Sequence, residues 1–179
     1  AGTVIITDLS DKKLEIARQF GVDVTVNPKE RDLARVLLET TEGRGPDRVI
    51  VAAGVPALFT QAVELVARGG TVLGFAANAA KDVATVQVGR LFWDEITIAG
   101  SYSSTPFDYP EALDLLHRGQ VDAHKMITHR MTLDQLGEAI EMGHRAQDNL
   151  KIMIEMSPGA GAEVGHSPSA RASAKEDFS

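Results

Sequence analysis

Cysteine is absent from this 179-residue sequence. Without thiols the chain cannot form disulfides, use a thiolate nucleophile or build a four-thiolate zinc site. No apolar run approaches the ~20 residues of a membrane-spanning helix. No basic start followed by an apolar stretch indicates a signal peptide. We therefore expect a cytoplasmic protein without a membrane partner.

Basic residues are fewer than acidic ones. The sequence has 18 Lys and Arg against 25 Asp and Glu, so the formal net charge is −7. An acidic surface argues against nucleic acid or an anionic membrane as the main partner. Hydrophobic residues make up 44% of the chain, which is enough for one sizeable core. The composition predicts a globular protein that binds neither nucleic acid nor an anionic membrane.

Recognisable catalytic and metal-binding motifs are also missing. No His-Glu-x-x-His spacing, Ser-His-Asp order, Walker loop or G-x-G-x-x-G motif occurs. His129 is predicted to lie in a loop. Histidines in loops or near helix ends are more often structural or solvent-facing residues than metal ligands. We predict no catalytic residue and no metal ligand among the five histidines, His117, His124, His129, His144 and His166.

Short β-branched runs alternate with helical stretches along the chain, which predicts right-handed crossovers and a parallel α/β sheet. The segment Ala76 to Asp94 has no clear pattern and is predicted to be irregular. The predicted strands are Thr3–Thr7, Val22–Val26, Arg48–Ala53, Thr71–Phe75, Glu95–Gly100 and Lys151–Glu155. One predicted helix follows Ser10, and another contains Leu33 to Leu37. Three more span Ala57–Ala67, Pro110–His117 and Leu133–Arg145.

The composition changes at Ser157. Small, polar and charged residues dominate from there, and only Val164 and Phe178 are large and apolar. Such a segment cannot bury enough surface to offset its ordering entropy. We predict a folded region over residues 1–156 and a disordered tail over 157–179.

Parallel sheets bind ligands at the carboxyl ends of their strands, so residues at those ends are candidates for function. Asp8 could accept hydrogen bonds from a ribose or cap the helix that begins near Asp11. Lys13 could lie beside that ribose or be an ordinary solvated lysine. Gly54 and Gly74 could admit a ligand close to the backbone or simply form turns.

Six stretches, taken in order, resemble the second half of a zinc-dependent medium-chain dehydrogenase, with sorbitol (polyol) and threonine dehydrogenases the most similar. The resemblance runs from Gly2 to about Pro158. The stretches are VIITDLSDKKLEIARQFGVDVTVN, GPDRVIVAAG, AVELVARGGTVLGFA, EITIAGSYSSTPFDYPEALDLLHRGQVD, ITHRMTLDQLGEAIEM and NLKIMIEM.

The resemblance implies a nicotinamide-dinucleotide site. Asp8 matches the acidic residue on the adenine ribose, which implies NAD rather than NADP, and Lys13 matches a basic residue that helps there. Lys151 matches a basic residue near the pyrophosphate. Gly54 is a further strand-end candidate. The nicotinamide end is implied for two segments: Gly74, Phe75 and Ala76, and Ser101, Tyr102 and Ser103.

The departures from the family pattern are large. Its first strand and glycine-rich turn are missing, and so is the catalytic domain that supplies the zinc ligands and the acid–base relay. The resemblance therefore implies a truncated Rossmann-like, doubly wound parallel sheet. It also implies the cofactor-binding portion of an NAD-dependent alcohol or polyol dehydrogenase. We expect the isolated chain to be inactive, with no catalytic residue of its own.

Two alternatives stay open at this point: a non-catalytic remnant, or a regulatory nucleotide-binding or oligomerisation module. In the family, cofactor domains join edge to edge through the strand that matches Glu95–Gly100, which implies a homo-oligomer here. The missing strand is central in the order 3-2-1-4-5-6. Its loss should leave a gap, or force the Thr3 strand to pair with the Arg48 strand.

Overall fold

Two groups of parallel strands form the main part of the computed structural model, which describes residues 2–145 and 149–156. The chain divides after Met126 into two compact units. The predicted tail, residues 157–179, lies outside the described residues. The first unit contains β1 (Ile5–Thr7), α1 (Asp11–Gln19), β2 (Val24–Val26), α2 (Leu33–Thr40), β3 (Arg48–Val51), α3 (Pro56–Leu65), β4 (Thr71–Gly74), α4 (Val88–Trp93), β5 (Thr97–Gly100), α5 (Asp108–His117) and α6 (Ala123–Met126).

The strands of the first unit form two separate sheets. One has the order β1-β2 and the other the order β3-β4-β5, and every pairing is parallel. In the order 3-2-1-4-5-6, the missing first strand would lie between β1 and β3. β1 and β3 do not pair with each other, so the direct pairing of these two strands, one of the two expected arrangements, does not occur.

Helix boundaries follow local capping chemistry. The Ser10 hydroxyl accepts a hydrogen bond from the backbone N–H of Lys13 and caps α1, as predicted. Asp32 caps α2 in the same way, through the N–H of Arg35. Proline occupies the first turn of α3. A backbone N–H in the first turn has no partner within the helix, so the missing N–H of proline costs no hydrogen bond there. These side chains fix where each helix leaves the carboxyl end of its strand.

The core of the first unit lies between α3 and the three-stranded sheet. Val51 and Val72 from the sheet pack with Val63 and Val66 from the α3 region and with Ile96, which precedes β5. Val63, Val66 and Val72 are at most 1% exposed. Burying a valine side chain fully contributes about 1.5 to 3 kcal/mol, so this cluster anchors β3 and β4 beneath the candidate site.

The sequence prediction was wrong for three segments. The stretch Ala76 to Asp94 is not entirely irregular, because it contains α4. The strand predicted from Glu95 begins only at Thr97, since Glu95 has a φ of 54°, outside the range of a strand. His129 lies in a strand rather than a loop, where its pairing with Ile152 of the following strand holds it.

The second unit has its own small parallel sheet. β6 (Ile127–Thr132) pairs with β7 (Lys151–Glu155), and a 3-10 turn (Leu133–Gln135) leads into α7 (Leu136–Arg145). Met131 of β6 and Ala139 of α7 are buried. Within the described ranges, no helix is long and apolar enough to cross a membrane.

Candidate functional site

The carboxyl ends of β3, β4 and β5 form one continuous edge. The N–H groups of Phe75 and Ala76 both donate to the carbonyl of Val51, at 3.1 and 3.0 Å. The N–H of Ser101 donates to the carbonyl of Gly74 at 3.1 Å. Backbone hydrogen bonds therefore bring together the two segments that the resemblance assigned to the nicotinamide end.

The two candidate glycines are both packed against the chain itself. A Cβ added to Gly54 would lie 2.4 Å from the carbonyl oxygen of Ala77, and one added to Gly74 would lie 3.3 Å from the ring of Phe59. Close approach of neighbouring protein atoms is thus sufficient to explain a glycine at position 54. The involvement of either residue in cofactor binding stays a prediction.

The loop after β5 is exposed. The Tyr102 side chain is 98% accessible, and Ser103 has a left-handed φ of 57°. Beyond the loop, Asp108 at the start of α5 accepts hydrogen bonds from the backbone and the hydroxyl of Thr105. These bonds hold the pKa of the Asp108 carboxyl below its usual value, the backbone bond having the larger effect. The carboxylate thus fixes the start of α5, and residues Ser101–Ser103 before it are all exposed.

Asp8 lies at the carboxyl end of β1, in a second strand-end region. Its N–H donates to the carbonyl of Val26 at 3.2 Å, and its Oδ1 accepts from the N–H of Ser10 at 2.8 Å. The side chain is half-buried. Asp8 had two candidate roles, ribose binding and capping of α1, and the capping role is filled by Ser10. A role of the Asp8 carboxylate at a ribose stays a prediction.

Asn27, a residue that the sequence analysis did not single out, supports this region. It is 7% exposed and is the only buried polar side chain among residues 2–145 and 149–156. Its Nδ2 donates to Asp11 Oδ1 at 2.9 Å, and its Oδ1 accepts from the N–H of Lys29 at 3.1 Å. Asn27 thereby ties the end of β2 to the first turn of α1, beside Asp8. Its position before Pro28 at a strand end was the available signal.

The two candidate lysines lie in different units. Lys13 is half-buried in the first turn of α1, three residues after the cap and close in sequence to Asp8. Lys151 is the first residue of β7 in the second unit, where its carbonyl accepts from the hydroxyl of Thr128 at 3.2 Å. The roles that the resemblance implies for both side chains stay predictions.

No group of three or more His, Asp or Glu side chains within the described ranges is arranged to hold a metal ion. The sequence contains no cysteine. The described residues therefore do not fit the zinc ion that the resemblance implies for the complete family fold, and no step of a mechanism can be derived through zinc on this chain.

Comparison with known proteins identifies the family. The family model described as "Zinc-binding dehydrogenase" matches residues 1–118. This chain belongs to that family, as the sequence analysis predicted.

Relatives and solved structures agree with this assignment. The chain is 32% identical over 159 residues to a D-arabitol-phosphate dehydrogenase of Enterococcus avium, covering 87% of this chain and 44% of that protein. It is 31% identical over 157 residues to a sorbitol dehydrogenase of Bacillus subtilis, covering 86% and 43%. The chain thus spans less than half the length of these relatives.

Two solved structures share the fold. An alcohol dehydrogenase of Escherichia coli CFT073, complexed with NADH, superposes with a TM-score of 0.77 at 23% identity, over 87% of this chain and 45% of that one. A zinc-binding dehydrogenase of Sinorhizobium meliloti 1021, bound to NADP, superposes with a TM-score of 0.76 at 25% identity, over 86% and 45%. The predicted Rossmann-like α/β fold is confirmed.

Proposed function

We propose that this chain is the cofactor-binding portion of an NAD-dependent, zinc-dependent dehydrogenase of secondary alcohols or polyols. The observation that carries the proposal is the membership of this family together with two strand-end regions suited to a dinucleotide. One region presents the Asp8 carboxylate, and the other presents the adjacent backbones of Gly74–Ala76 and Ser101–Ser103. A cytoplasmic location is part of the same proposal.

In such an enzyme a hydride passes between the carbinol carbon of the substrate and the nicotinamide ring, which is the chemistry that the bound cofactor supplies. The residues of this chain bind and orient. Asp8 would accept a hydrogen bond from the adenine ribose, and the backbone of the exposed segment Ser101–Ser103 would hold the carboxamide. Lys13 and Lys151 would complement the negative phosphate groups or the ribose face.

The relatives include dehydrogenases of arabitol phosphate and sorbitol, which supports a polyol as the substrate class. The ligands for zinc and the acid–base relay would have to come from outside the described residues. We therefore expect no oxidation of sorbitol or arabitol by the 179-residue chain when NADH formation is followed with and without added zinc. Turnover that a chelator abolishes and zinc restores would contradict this expectation.

The NAD preference is tested at Asp8. Both cofactors occur in solved structures with this fold, so the preference depends on the particular side chain. A chimera would join the preceding part of the E. avium dehydrogenase to this chain. In it, Asp8→Ser should reduce the ratio of kcat/KM for NAD over NADP, because the carboxylate no longer repels the 2′-phosphate. The expected change is about 1–3 kcal/mol of discrimination.

Glu15→Gln is the matched control, since Glu15 is an exposed carboxylate on α1 that pairs with Arg18. It should leave the cofactor ratio unchanged. If the Asp8→Ser chimera had the same ratio of kcat/KM for NAD over NADP as the unaltered chimera, the assignment of NAD as the preferred cofactor would lose its basis.

A further inference from the structure

We propose that Asn27 is a positioning residue for the ribose site at Asp8 and acts through the carboxylate of Asp11. This role rests on the proposed function, because it requires that Asp8 accepts a hydrogen bond from an adenosine ribose. Asn27 lies at the right place in the fold for such a role. Thr7 pairs with Val26, so Asp8 and Asn27 follow paired residues at the same end of the β1-β2 sheet.

The side chain of Asn27 makes one local and one distant hydrogen bond. Its Oδ1 accepts from the N–H of Lys29 at 3.1 Å, which forms a turn that Asp and Asn side chains both support. Its Nδ2 donates to Asp11 Oδ1 at 2.9 Å, 16 residues away. An aspartate at position 27 could form the turn equally well. What the asparagine adds is the amide donor, whose partner is the first residue of α1.

The burial of Asn27 makes the loss of this bond costly. The Asn27 side chain is buried, whereas Asp11 is exposed. A buried donor without an acceptor retains its cost of desolvation, so the folded chain is stabilised when Asp11 lies against the end of β2. The charge on the acceptor strengthens the bond further. The start of α1 is therefore attached to β2 as well as to β1.

Two hydrogen bonds connect the start of α1 with the Asp8 carboxylate. The N–H of Ser10, the residue before Asp11, donates to Asp8 Oδ1 at 2.8 Å. The Ser10 hydroxyl accepts from the N–H of Lys13 and caps the helix. The direction of the Asp8 carboxylate thus depends on the position of Ser10, which depends on where α1 begins. Without the contact between Asn27 and Asp11, that direction is less well fixed, and a preorganised acceptor for the ribose is lost.

The test uses two nucleotides that differ in a single hydroxyl group. Adenosine 5′-monophosphate has the ribose 2′-hydroxyl that an acidic strand-end residue binds, and 2′-deoxyadenosine 5′-monophosphate lacks it. Isothermal titration calorimetry on the full chain gives the ratio of their dissociation constants. We expect the unaltered chain to bind the first nucleotide ~10-fold more tightly, the size of a hydrogen bond to a charged group. A general loss of packing would weaken both nucleotides equally and leave this ratio unchanged.

Two substitutions of Asp11 separate the hydrogen bond from the charge. Asp11→Asn removes the charge but keeps an oxygen that accepts from Asn27, so the ratio should stay at ~10-fold. Asp11→Ala removes both the charge and the acceptor, so the ratio should fall below ~3-fold. Asp11 is exposed, so neither substitution alters the core. Equal ratios in the two variants would overturn the proposal.

Exchanging the two residues provides a rescue. Asn27→Asp keeps the acceptor for Lys29 but leaves two carboxylates with no donor between them, so the preference for the ribose hydroxyl should be lost. Adding Asp11→Asn restores a donor opposite an acceptor, with the direction of the bond reversed. The double variant should regain a ratio within ~2-fold of the unaltered chain. A ratio as low as that of Asn27→Asp alone would contradict a role through Asp11.

Failure of the proposed function gives a different result from failure of the positioning role. If the unaltered chain binds both nucleotides equally, or binds neither, Asp8 does not bind a ribose hydroxyl, and the role of Asn27 is wrong together with the proposed site. If the unaltered chain shows the preference and Asp11→Ala retains it, the ribose site stands and only the role of Asn27 is overturned.

Discussion

Single side chains decide how the segments beneath the candidate site are joined, and Arg90 is the strongest example. Its guanidinium donates to the carbonyls of Glu64 and Val66, the latter at 2.6 Å, near the carboxyl end of α3. Its Nε lies 3.2 Å from Asp94 Oδ2, an ion pair in which Nε has no aligned hydrogen bond. Arg90 therefore connects α3, α4 and the turn before β4.

Arg90→Met should lower the free energy of unfolding by about 2 kcal/mol, because it leaves carbonyls at a helix end without their charged donor. Arg68→Met is the matched control. Arg68 pairs with the same Asp94, at 2.9 Å, but its side chain is 85% exposed. A solvated pair of this kind contributes less than ~1 kcal/mol. Urea denaturation followed by circular dichroism measures both, and equal losses would contradict this account of Arg90.

Residues with local roles were predictable from the sequence, whereas residues with distant partners were not. Ser10 caps the helix that follows it through the N–H of a residue three positions later, so its role could be predicted from this short stretch of sequence. Asn27 bonds to Asp11, 16 residues earlier, and Arg90 bonds to Glu64, 26 residues earlier. Such partners become neighbours only when the crossovers are complete, and no spacing rule identifies them.

At the scale of elements, the strands were predicted best. β1 to β5 all follow from β-branched runs bounded by turn residues. α4 was missed because it has only six residues, begins without a side-chain cap and contains Gly89 in its first turn. β6 was missed because only Ile127 and Met131 of its six residues are apolar.

α4 itself gives a testable expectation. Phe92 and Trp93 stack edge to face at 5.0 Å, yet they are 72% and 78% exposed. Trp93 is the only tryptophan in the sequence, so the fluorescence of the whole chain reports on this helix. Acrylamide should quench it almost as efficiently in the native chain as in urea. Strong protection in the native state would show that α4 is covered.

Exposed aromatic side chains on a short helix are typical of a surface that another element covers. Dilution distinguishes the source of any such cover. Protection that disappears at low concentration would indicate another copy of the chain, and protection that persists would indicate cover from within the chain.

At the scale of the whole molecule, alternation of strands and helices predicted the parallel α/β class, and the resemblance predicted the strand order. The separation of β1-β2 from β3-β4-β5 was one of two expected outcomes. The structure resolves that choice, because β1 and β3 do not pair with each other. The division of the chain after Met126 has no comparable signal in the sequence.

The last prediction concerns self-association through β5, which is the edge strand of the three-stranded sheet. Its outward backbone groups include those of Ile98, whose side chain is 41% exposed. An open strand edge of this kind favours pairing with an identical strand across a twofold axis, because a self-complementary contact satisfies both edges at once. We therefore propose that the chain forms a homodimer through this strand and the segment that follows it.

Sedimentation analysis at micromolar concentration should show a dimer or a larger species, with a melting temperature that rises with chain concentration. Ile98→Pro should shift the chain to monomer, since it removes an outward donor from β5 and leaves the bonds to β4 intact. Ile50→Pro, on the opposite edge of the sheet, should still dimerise. A monomer with a concentration-independent melt would contradict the proposed interface. Dimerisation of Ile98→Pro with unchanged affinity would place the contact on another surface, because no pairing along β5 could then be holding the two copies together.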